Sequence, residues 1–239
     1  MQIDEFKLRT YSRLNSKPEG NYPIGPAELA HVDACPLCES NNLELLSEVY
    51  LEGELNFHAT SICNDCLFSF RSISPSLDWF KKCWSIIATG DLEVFNPEVE
   101  TVRRRRYSDY HSLLAKHIQS GRCLDVGAAY GTGSQVFQEV GYQVETLEPE
   151  DDKANYIRNF LKIPVFSGSL QDFPPPKERF DLVIFAHCLE HLDDPKSAVA
   201  KIRQLVKPDS GVLYMEIPIV WNFVTWSDAL YMAHKSNFT

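Results

Sequence analysis

Three glycines and an acid lie close together in the middle of the chain. Residues 123–133 read CLDVGAAYGTG, so an apolar run reaches Asp125 and is followed by Gly127, Gly131 and Gly133. The next residues, 134–142, carry apolar side chains at helical spacing. A strand, a glycine loop and the start of a helix form the nucleotide-binding turn of many α/β proteins. The chemistry indicated is the binding of a nucleotide-like cofactor, and the alternative is a purely structural turn.

The spacing of these glycines separates two classes of cofactor. Dinucleotide sites use Gly-x-Gly-x-x-Gly, which brings a pyrophosphate against the N-terminus of the helix. Here Val136 occupies the position of the third glycine. A dinucleotide-dependent oxidoreductase is therefore disfavoured and is kept only as an alternative.

Acids follow the next two predicted strands. Glu148 lies at the end of the second strand, 23 residues after Asp125. At about this distance, α/β nucleotide sites place a carboxylate that accepts hydrogen bonds from ribose hydroxyls. Asp172 follows the third strand, which we predict over residues 164–168. The structural alternatives are a surface acid at a strand end for Glu148 and a turn cap for Asp172.

The order of these motifs resembles that of the class I S-adenosylmethionine-dependent methyltransferases over roughly residues 98–218. In that family an acid precedes the glycine loop, and the cofactor carries an ammonium group in place of a phosphate. The resemblance implies S-adenosylmethionine as the cofactor, with an acid at the place of Asp172 accepting from the adenine amino group. It assigns the cofactor site to Asp125, Gly127, Tyr130, Gly131, Gly133, Glu148, Pro149, Asp172 and Ala186.

Methyl transfer to carbon or oxygen also requires a base, because the acceptor loses a proton. The family often has a Glu-His pair after its fourth strand, which we predict here over residues 180–186. We expect His191 to act as the base, with His187 as the second candidate and Glu190 as the residue that orients the imidazole. If this segment is helical, the two histidines share one face. The alternative is a structural Glu-His cap beside the next helix.

Two Cys-x-x-Cys pairs lie in the N-terminal part of the chain. Cys35 and Cys38 form the first pair and Cys63 and Cys66 form the second, with 24 residues between them. Four thiolates are enough for a closed, structural, tetrahedral Zn²⁺ site. Disulfides and a chance arrangement of buried cysteines are the alternatives. Residues 1–7 lack the apolar core of a secretory signal, and a reducing compartment disfavours disulfides, so we predict zinc and a cytoplasmic protein.

A zinc-binding lobe before this cofactor domain resembles the sugar-nucleotide C-methyltransferases and their relatives from secondary metabolism. Leu67 departs from the pattern, because such knuckles often have glycine at this position. Residues 1–100 contain 7 Lys and Arg against 16 Asp and Glu, a net charge of −9. An acidic lobe would repel a phosphate backbone, so we predict a small-molecule substrate and no nucleic-acid partner.

The scaffold required by these side chains is α/β. We predict a Rossmann-like doubly wound sheet, with five of the usual seven strands recognisable and the fifth at residues 211–218, together with a small N-terminal zinc-ribbon-like lobe. The predicted layout is an N-terminal arm at 1–30, a zinc-binding lobe at 31–75, a helical linker at 76–120, the S-adenosylmethionine-binding domain at 121–220 and an aromatic tail at 221–239.

The linker is predicted to contain a short helix at 76–88 and a longer one from Pro97 to the region of Gly121. Four consecutive arginines, residues 103–106, lie in the longer helix and cannot all share one solvated face. They either form ion pairs with the acidic N-terminal lobe or clamp a phosphate or carboxylate of the substrate.

The chain stops soon after the fifth predicted strand, so we expect either a truncated product or a sheet that closes by another route. An uncovered strand edge and an aromatic tail would favour self-association. No apolar run approaches the ~20 residues of a membrane-spanning helix, so we predict no membrane partner.

Together these features predict S-adenosylmethionine-dependent methyl transfer to a small-molecule acceptor, for example a sugar nucleotide or a secondary metabolite. The alternative function is a zinc-stapled, catalytically incomplete module that binds a cofactor or a protein partner.

Overall fold

The computed structural model describes residues 8–10, 26–50, 56–76, 97–218 and 235–237. The predicted helix at 76–88, most of the predicted N-terminal arm and most of the aromatic tail lie outside these residues. The chain divides into two compact units. The first comprises Met1–Val94, Glu190–Pro195 and Pro218–Thr239, and the second comprises Phe95–Leu189 and Lys196–Ile217.

The first unit is built on a six-stranded sheet. Its strands in the described residues are β1 (Leu8–Thr10), β2 (Leu29–His31), β3 (Leu43–Tyr50), β4 (Asn56–Cys63), β5 (Ser69–Pro75) and β11 (Ser236–Asn237). Strands β3, β4 and β5 form an antiparallel meander, and β1 adds to β3 in parallel. Strands β2 and β11 share the other edge of β5, so the end of the aromatic tail joins this sheet.

A small core lies at the turn between β4 and β5. Cys35 and Cys63 are buried there with Phe68 and Phe70. The two phenylalanine rings stack with their centroids 6.3 Å apart. The core is too small to contribute much burial of apolar surface by itself, which is typical of lobes that use a metal or disulfides as a staple.

The second unit is built on a parallel sheet of five strands in the order β10-β9-β6-β7-β8. Its strands are β6 (Gly121–Val126), β7 (Tyr142–Glu148), β8 (Val165–Ser167), β9 (Leu182–Ala186) and β10 (Val212–Glu216). All their pairings are parallel, and every residue of the central strand β9 is buried. The predicted α/β fold and its five strands are therefore confirmed. Self-association through the edge at β10 stays a prediction.

The α-helices of the described residues are α1 (Pro97–Leu114), α2 (Thr132–Glu139), α3 (Asp151–Tyr156) and α4 (Pro195–Leu205). Helix α3 continues into a π-helical turn, Ile157–Leu161. Helices α1 and α4 begin at proline, as predicted, because proline fits the first helical position. None of the helices in the described ranges is both long enough and apolar enough to cross a membrane.

Two details of the sequence prediction are wrong. Helix α1 ends at Leu114 and turns tightly, since the N–H of Ile118 donates to the carbonyl of Leu114 at 2.9 Å, so Gly121 begins β6 and does not end the helix. The apolar spacing of residues 198–206 predicts that Val199 of α4 is buried, but it is 41% exposed. Of the four arginines, Arg103 and Arg104 pair with Glu100 and Glu139 of their own unit, and the two roles proposed for the run stay predictions.

The core of the second unit fixes α1 and α2 against the sheet. Tyr110 and Leu114 of α1 and Phe137 of α2 are buried with residues of the strands, among them Val144 and Ile184. The strand ends and the loop before α2 are thereby held in place at the carboxyl edge of the sheet.

Candidate functional site

The glycine loop joins β6 to α2 at the point where the order of the parallel strands reverses, which is where open α/β sheets bind ligands. Its backbone has positive φ angles at Gly127 (75°), Ala129 (50°) and Gly131 (74°). The N–H of Gly127 donates to the carbonyl of Leu147 in β7 at 2.8 Å. A Cβ atom at Gly127 would lie 2.4 Å from Sγ of Cys188, so only glycine fits there.

Asp125 connects the end of β6 to the first turn of α2. Its carboxylate is 1% exposed, and Oδ2 accepts a hydrogen bond from Oγ of Ser134 at 2.7 Å. Burial raises the pKa of Asp125 to about 6, although hydrogen bonds from the hydroxyl and N–H of Ser134 act against this. Within the part of the chain that is described, Oδ1 is buried and has no hydrogen-bond partner. Asp125 therefore holds the first turn of α2 through Ser134, and its Oδ1 remains able to accept a hydrogen bond from a ligand.

Glu148 connects β7 to the same loop. Its Oε2 accepts from the N–H of Ala129 at 2.7 Å, and its Oε1 accepts from the N–H of Glu150 at 2.9 Å. The side chain is buried, which raises the pKa of Glu148 to about 7 despite these two hydrogen bonds. Each carboxylate oxygen can accept more than one hydrogen bond, so the group keeps capacity for a diol.

The other predicted cofactor residues lie around these two acids. Gly131 and Gly133 are buried at the start of α2, and Ala186 is the last, buried residue of β9. The ring of Tyr130 packs edge-on against Tyr156, with centroids 5.4 Å apart, and Pro149 is exposed. The parallel strands β6, β7 and β9 all end at the carboxyl edge of the sheet. The predicted cofactor residues at and after these strand ends therefore lie along the same edge.

Asp172 differs from the rest of the predicted set. Its carboxylate is exposed and accepts from Oγ of Ser169 at 2.6 Å. Oγ of Ser169 in turn lies 3.3 Å from the backbone N–H of Asp172, so the two residues are joined within this turn. A contact with an adenine group stays a prediction.

The predicted catalytic segment is not an α-helix. Leu189–His191 forms one 3₁₀ turn, and His187 has a positive φ of 53°. The condition under which His187 and His191 would share a helical face is therefore not met, because no helix spans both residues. Their roles as bases stay predictions.

The two histidines have different carboxylate neighbours. His187 belongs to the second unit, and its Nε2 lies 2.8 Å from Oε1 of Glu216. Glu190 and His191 belong to the first unit, where Nε2 of His191 lies 3.9 Å from Oε1 of the buried Glu190. The distance at His187 is that of a hydrogen bond, and the distance at His191 is longer than one.

The four predicted metal ligands, Cys35, Cys38, Cys63 and Cys66, converge in the first unit. All four Sγ atoms lie within 4.8 Å of one another. Cys35 and Cys66 are 3.6 Å apart and Cys38 and Cys63 are 3.5 Å apart, so they are free thiols and not disulfides. Tetrahedral Zn–S bonds of about 2.3 Å place thiolate pairs roughly 3.8 Å apart. The spacing of the cluster therefore fits a Zn²⁺ ion.

The two cysteine pairs have the same backbone geometry. In the first, the N–H of Glu39 donates to the carbonyl of Cys35 at 2.8 Å, and in the second the N–H of Leu67 donates to that of Cys63 at the same distance. Glu39 and Leu67 both have left-handed backbones, with φ of 66° and 62°. Leu67 thus adopts the conformation for which glycine is common in such knuckles, so its departure from the pattern does not change the turn.

Polar side chains that the sequence analysis did not select hold the two knuckles together. Asp65 accepts from Oγ of Ser40 at 2.5 Å and from Nδ2 of Asn42 at 2.9 Å. These hydrogen bonds lower the pKa of Asp65. An acid inside the second Cys-x-x-Cys pair was the only signal of this contact in the sequence.

Comparison with known proteins identifies the family. The family described as "Methyltransferase domain" matches residues 99–234, which is more than half of the chain. The chain belongs to this methyltransferase family. The prediction of an S-adenosylmethionine-dependent methyltransferase is thereby confirmed at the level of the family.

Curated relatives of this methyltransferase match part of their length. The ubiquinone biosynthesis O-methyltransferase of Actinobacillus pleuropneumoniae serotype 5b is 31% identical over 116 residues, covering 44% of this chain and 49% of the relative. The enzyme of the same name from Haemophilus ducreyi is 32% identical over 117 residues, covering 45% and 49%. The chain therefore spans about half the length of the curated relatives it matches.

Among solved structures, the PH0226 protein from Pyrococcus horikoshii OT3 is similar to this methyltransferase with a TM-score of 0.43 and 22% sequence identity. The match covers 52% of this chain and 59% of that chain.

Sequence reasoning missed three residues of this region. Ser134 holds Asp125, Tyr107 of α1 packs against Gly133, and Glu216 contacts His187. Only Glu216 gave a signal, as an acid at the end of an otherwise apolar strand. The partners of Ser134 and Tyr107 depend on tertiary packing.

Proposed function

We propose that this chain binds S-adenosylmethionine at the carboxyl edge of the parallel sheet and transfers its methyl group to a small-molecule acceptor. The observation that supports this most directly is the connection between Glu148 and the glycine loop, at the point where the strand order reverses. The family match supports the same reaction class.

The residues present fit the cofactor by their chemistry. Glu148 offers a buried carboxylate with remaining acceptor capacity, which suits the two hydroxyls of a ribose. In the part of the chain that the structure describes, Oδ1 of Asp125 is buried and has no hydrogen-bond partner. This acceptor oxygen suits a nearby cation or hydrogen-bond donor. Gly127 and Gly131 give the loop the positive φ angles that its turn requires. Tyr130 belongs to the same loop, and Nζ of Lys153 lies 5.9 Å from the centroid of its ring.

The contribution of the chain to the reaction is proximity, orientation and proton transfer. S-adenosylmethionine, when bound, supplies an electrophilic methyl group on a sulfonium sulfur. Glu148 and the loop hold the cofactor, and a histidine after β9 takes the proton that a carbon or oxygen acceptor loses. His187 is supported for this role by its carboxylate neighbour, and His191 remains the second candidate.

Two acceptor classes follow from separate observations. A zinc-ribbon-like lobe that precedes the methyltransferase domain along the chain resembles the architecture of the sugar-nucleotide C-methyltransferases. This resemblance supports a sugar nucleotide or a related secondary metabolite as the methyl acceptor. The two relatives described above are named ubiquinone biosynthesis O-methyltransferases, which supports O-methylation of an intermediate of ubiquinone biosynthesis as the second candidate. A substrate screen should begin with these two classes.

The cysteine cluster is proposed to hold one structural Zn²⁺ ion. Four protein thiolates close a tetrahedral site and leave no position for substrate, which is the composition of structural zinc centres. Burial raises the pKa of Cys63, but N–H groups of Cys66 and Asp65 and the thiol of Cys38 lower it to about 7. A reducing, cytoplasmic compartment suits such a site.

The cofactor assignment is tested by calorimetric titration of the purified, zinc-quantified chain with S-adenosylhomocysteine, with NADH as the comparison ligand. We expect micromolar binding of S-adenosylhomocysteine alone. Glu148→Ala should weaken binding at least ~10-fold, because a hydrogen bond to a charged group contributes on the order of 1.5–3 kcal/mol. Glu145→Ala is the matched control, since Glu145 lies on the same strand and pairs with Arg122.

Each outcome decides between the candidate functions. Binding of NADH would replace the methyltransferase proposal with a dinucleotide enzyme. A folded, zinc-loaded chain that binds neither ligand would support the catalytically incomplete module.

The metal site is tested separately by elemental analysis, which should find one zinc per chain. The zinc should be lost in Cys66→Ser and retained in Cys188→Ser, whose thiol lies in the second unit.

A further inference from the structure

A polar cluster lies at the carboxyl ends of β9 and β10, beside the proposed cofactor loop. Glu216, the last residue of β10, pairs in register with Ala186, the last residue of β9. Oε1 of Glu216 lies 2.8 Å from Nε2 of His187, and Oε2 accepts from the hydroxyl of Tyr214 at 2.7 Å. One carboxylate therefore contacts an imidazole with one oxygen and a phenol with the other.

The backbone of His187 is held by the same residue. Its N–H donates to the carbonyl of Glu216 at 2.8 Å, so main chain and side chain of His187 both contact Glu216. His187 has a φ of 53°, an uncommon conformation for a residue other than glycine. Such a conformation is strained and persists where the surroundings determine it. The two contacts with Glu216 hold the backbone of His187 in this conformation.

The charge of Glu216 is maintained by its neighbours. Burial raises the pKa of Glu216, but the hydroxyl of Tyr214 and the imidazole of His187 lower it below its usual value overall. Tyr110 reaches this place from α1, and its ring lies 4.5 Å from that of Tyr214. The carboxylate is thus ionised at neutral pH. An ionised carboxylate can only accept, so Nε2 of His187 carries the proton of their hydrogen bond.

The residue after His187 connects this cluster to the glycine loop. Sγ of Cys188 donates to the carbonyl of Val126, at the end of β6, at 3.1 Å. The same sulfur atom fills the space above Gly127. The cluster therefore lies at the loop that is proposed to bind the cofactor, and all these residues belong to the second unit.

We infer that Glu216 is a positioning residue that fixes His187 as the Nε2–H tautomer, so that Nδ1 is the base of the methyl transfer. This inference deepens the proposed function and rests on it. It assigns a role to Glu216 and takes His187 as the base on the strength of its two contacts with that residue. Tyr214 stabilises the charge of Glu216 through its hydroxyl and does not contact the acceptor in this role.

Methyl transfer with His187 as the base moves one proton and exchanges one bond at the methyl carbon. The proton of the acceptor passes to Nδ1 of His187 while the bond between acceptor and methyl carbon forms and the carbon–sulfur bond of the donor breaks. The imidazolium that results is stabilised by the adjacent Glu216 carboxylate, which stays ionised. His187 returns its extra proton to solvent before the next turnover.

The test is a pH titration of ring ¹⁵N signals in the full-length, zinc-loaded chain labelled at histidine. The signal of His187 is assigned by its loss in His187→Asn, because asparagine tolerates the left-handed backbone. In the wild-type chain the neutral ring should be the Nε2–H tautomer. In Glu216→Gln its titration midpoint should fall by ~1 pH unit or more, because an opposite charge has been removed. Glu145→Gln, which removes the same charge from β7, should leave the midpoint unchanged.

The outcomes separate this inference from the proposed function. An Nδ1–H tautomer in the wild-type chain overturns the inference without any variant, even if Glu216→Gln does not fold. Equal midpoints in the wild type and Glu216→Gln also overturn it. Binding of S-adenosylhomocysteine by the wild type together with either result leaves the methyltransferase proposal standing. Absence of that binding overturns the methyltransferase proposal, and with it the role of His187 as a base.

When an acceptor is found, turnover gives a further readout. Glu216→Gln should lower kcat by a factor of ~10² while KM changes little, since a general base contributes about 10²–10⁴ in rate. An unchanged kcat would contradict the positioning role.

Discussion

Glu148 combines two properties that rarely occur together, near-complete burial and a carboxylate bonded to two backbone N–H groups. Burial disfavours the charged form, and the N–H groups favour it. The balance leaves the pKa of Glu148 at about 7, well above its ordinary 4.5. The residue is therefore set to change charge in the physiological range.

This shift predicts the direction of a pH effect on stability. A carboxyl group with a raised pKa in the folded state stabilises the fold below its unfolded pKa, and that stability is lost as the pH rises through the folded pKa. We expect the free energy of unfolding to fall between pH 4.5 and 7, by at most ~3 kcal/mol from this residue. Urea unfolding followed by circular dichroism at 222 nm measures it, because the described α-helices lie almost entirely in the second unit.

Asp125 has a raised pKa as well, so the contribution of Glu148 must be isolated by difference. The free energy of unfolding should change less steeply with pH in Glu148→Gln than in the wild type. Glu145→Gln should show the same slope as the wild type. Identical slopes in the wild type and Glu148→Gln would show that Glu148 does not titrate in this range.

At the scale of elements, the start of α2 is fitted closely against α1. Gly133 lies in the first turn of α2, and a Cβ atom there would be 2.1 Å from Cε1 of Tyr107 in α1. The glycine therefore serves the packing of two helices, in addition to its place in the cofactor loop. The distance is far below a van der Waals contact, and both residues are held by the core.

This packing predicts the effect of one added methyl group. Gly133→Ala should destabilise the second unit by ~1–3 kcal/mol, because overpacking forces a shift of side chain or backbone. The double variant Tyr107→Ala with Gly133→Ala should be less destabilised than the sum of the single changes. Tyr107→Phe with Gly133→Ala is the matched control, since the ring and its clash remain. Additive effects in the alanine pair, measured by urea unfolding, would contradict the contact.

The whole molecule consists of two units that are stabilised in different ways. The first has a small core around two of the four cysteines, and the second has a larger apolar core under a parallel sheet. The described residues of the first unit bury little apolar surface around the cysteines, so the proposed zinc ion would contribute strongly to its stability, since structural zinc supplies on the order of 10 kcal/mol in small domains. The second unit has its own core and does not contain the cluster.

Removal of the metal should therefore affect the units unequally. We expect a strong zinc chelator to abolish the hydrogen-exchange protection of β3, β4 and β5, and to leave that of β6, β7 and β9 in large part. Mass spectrometry of peptides after exchange gives the comparison, and added zinc should restore protection in the first unit. Retained protection of β3–β5 in a chain shown to be free of zinc would refute the structural role of the metal.

The sequence by itself determined the parallel sheet, the glycine loop and the four cysteines. These features are local: continuous apolar strands, glycines at fixed spacing and Cys-x-x-Cys pairs follow from neighbouring residues alone. Glu148 was found in the same way, since its distance along the chain from Asp125 reflects the length of one strand–helix–strand unit.

Only the tertiary structure decided which side chains touch. The contacts of Glu216 with His187 and of Tyr107 with Gly133 join residues that are 29 and 26 positions apart, because neighbouring strands and a crossing helix bring them together. The 3₁₀ turn at Leu189–His191, where a helix was allowed, follows from the left-handed backbone of His187, which is held by β10. Periodicity within one segment carries no information on a partner in another, and for that reason the sequence ranked His191 first and gave no sign of the hydrogen bond between His187 and Glu216.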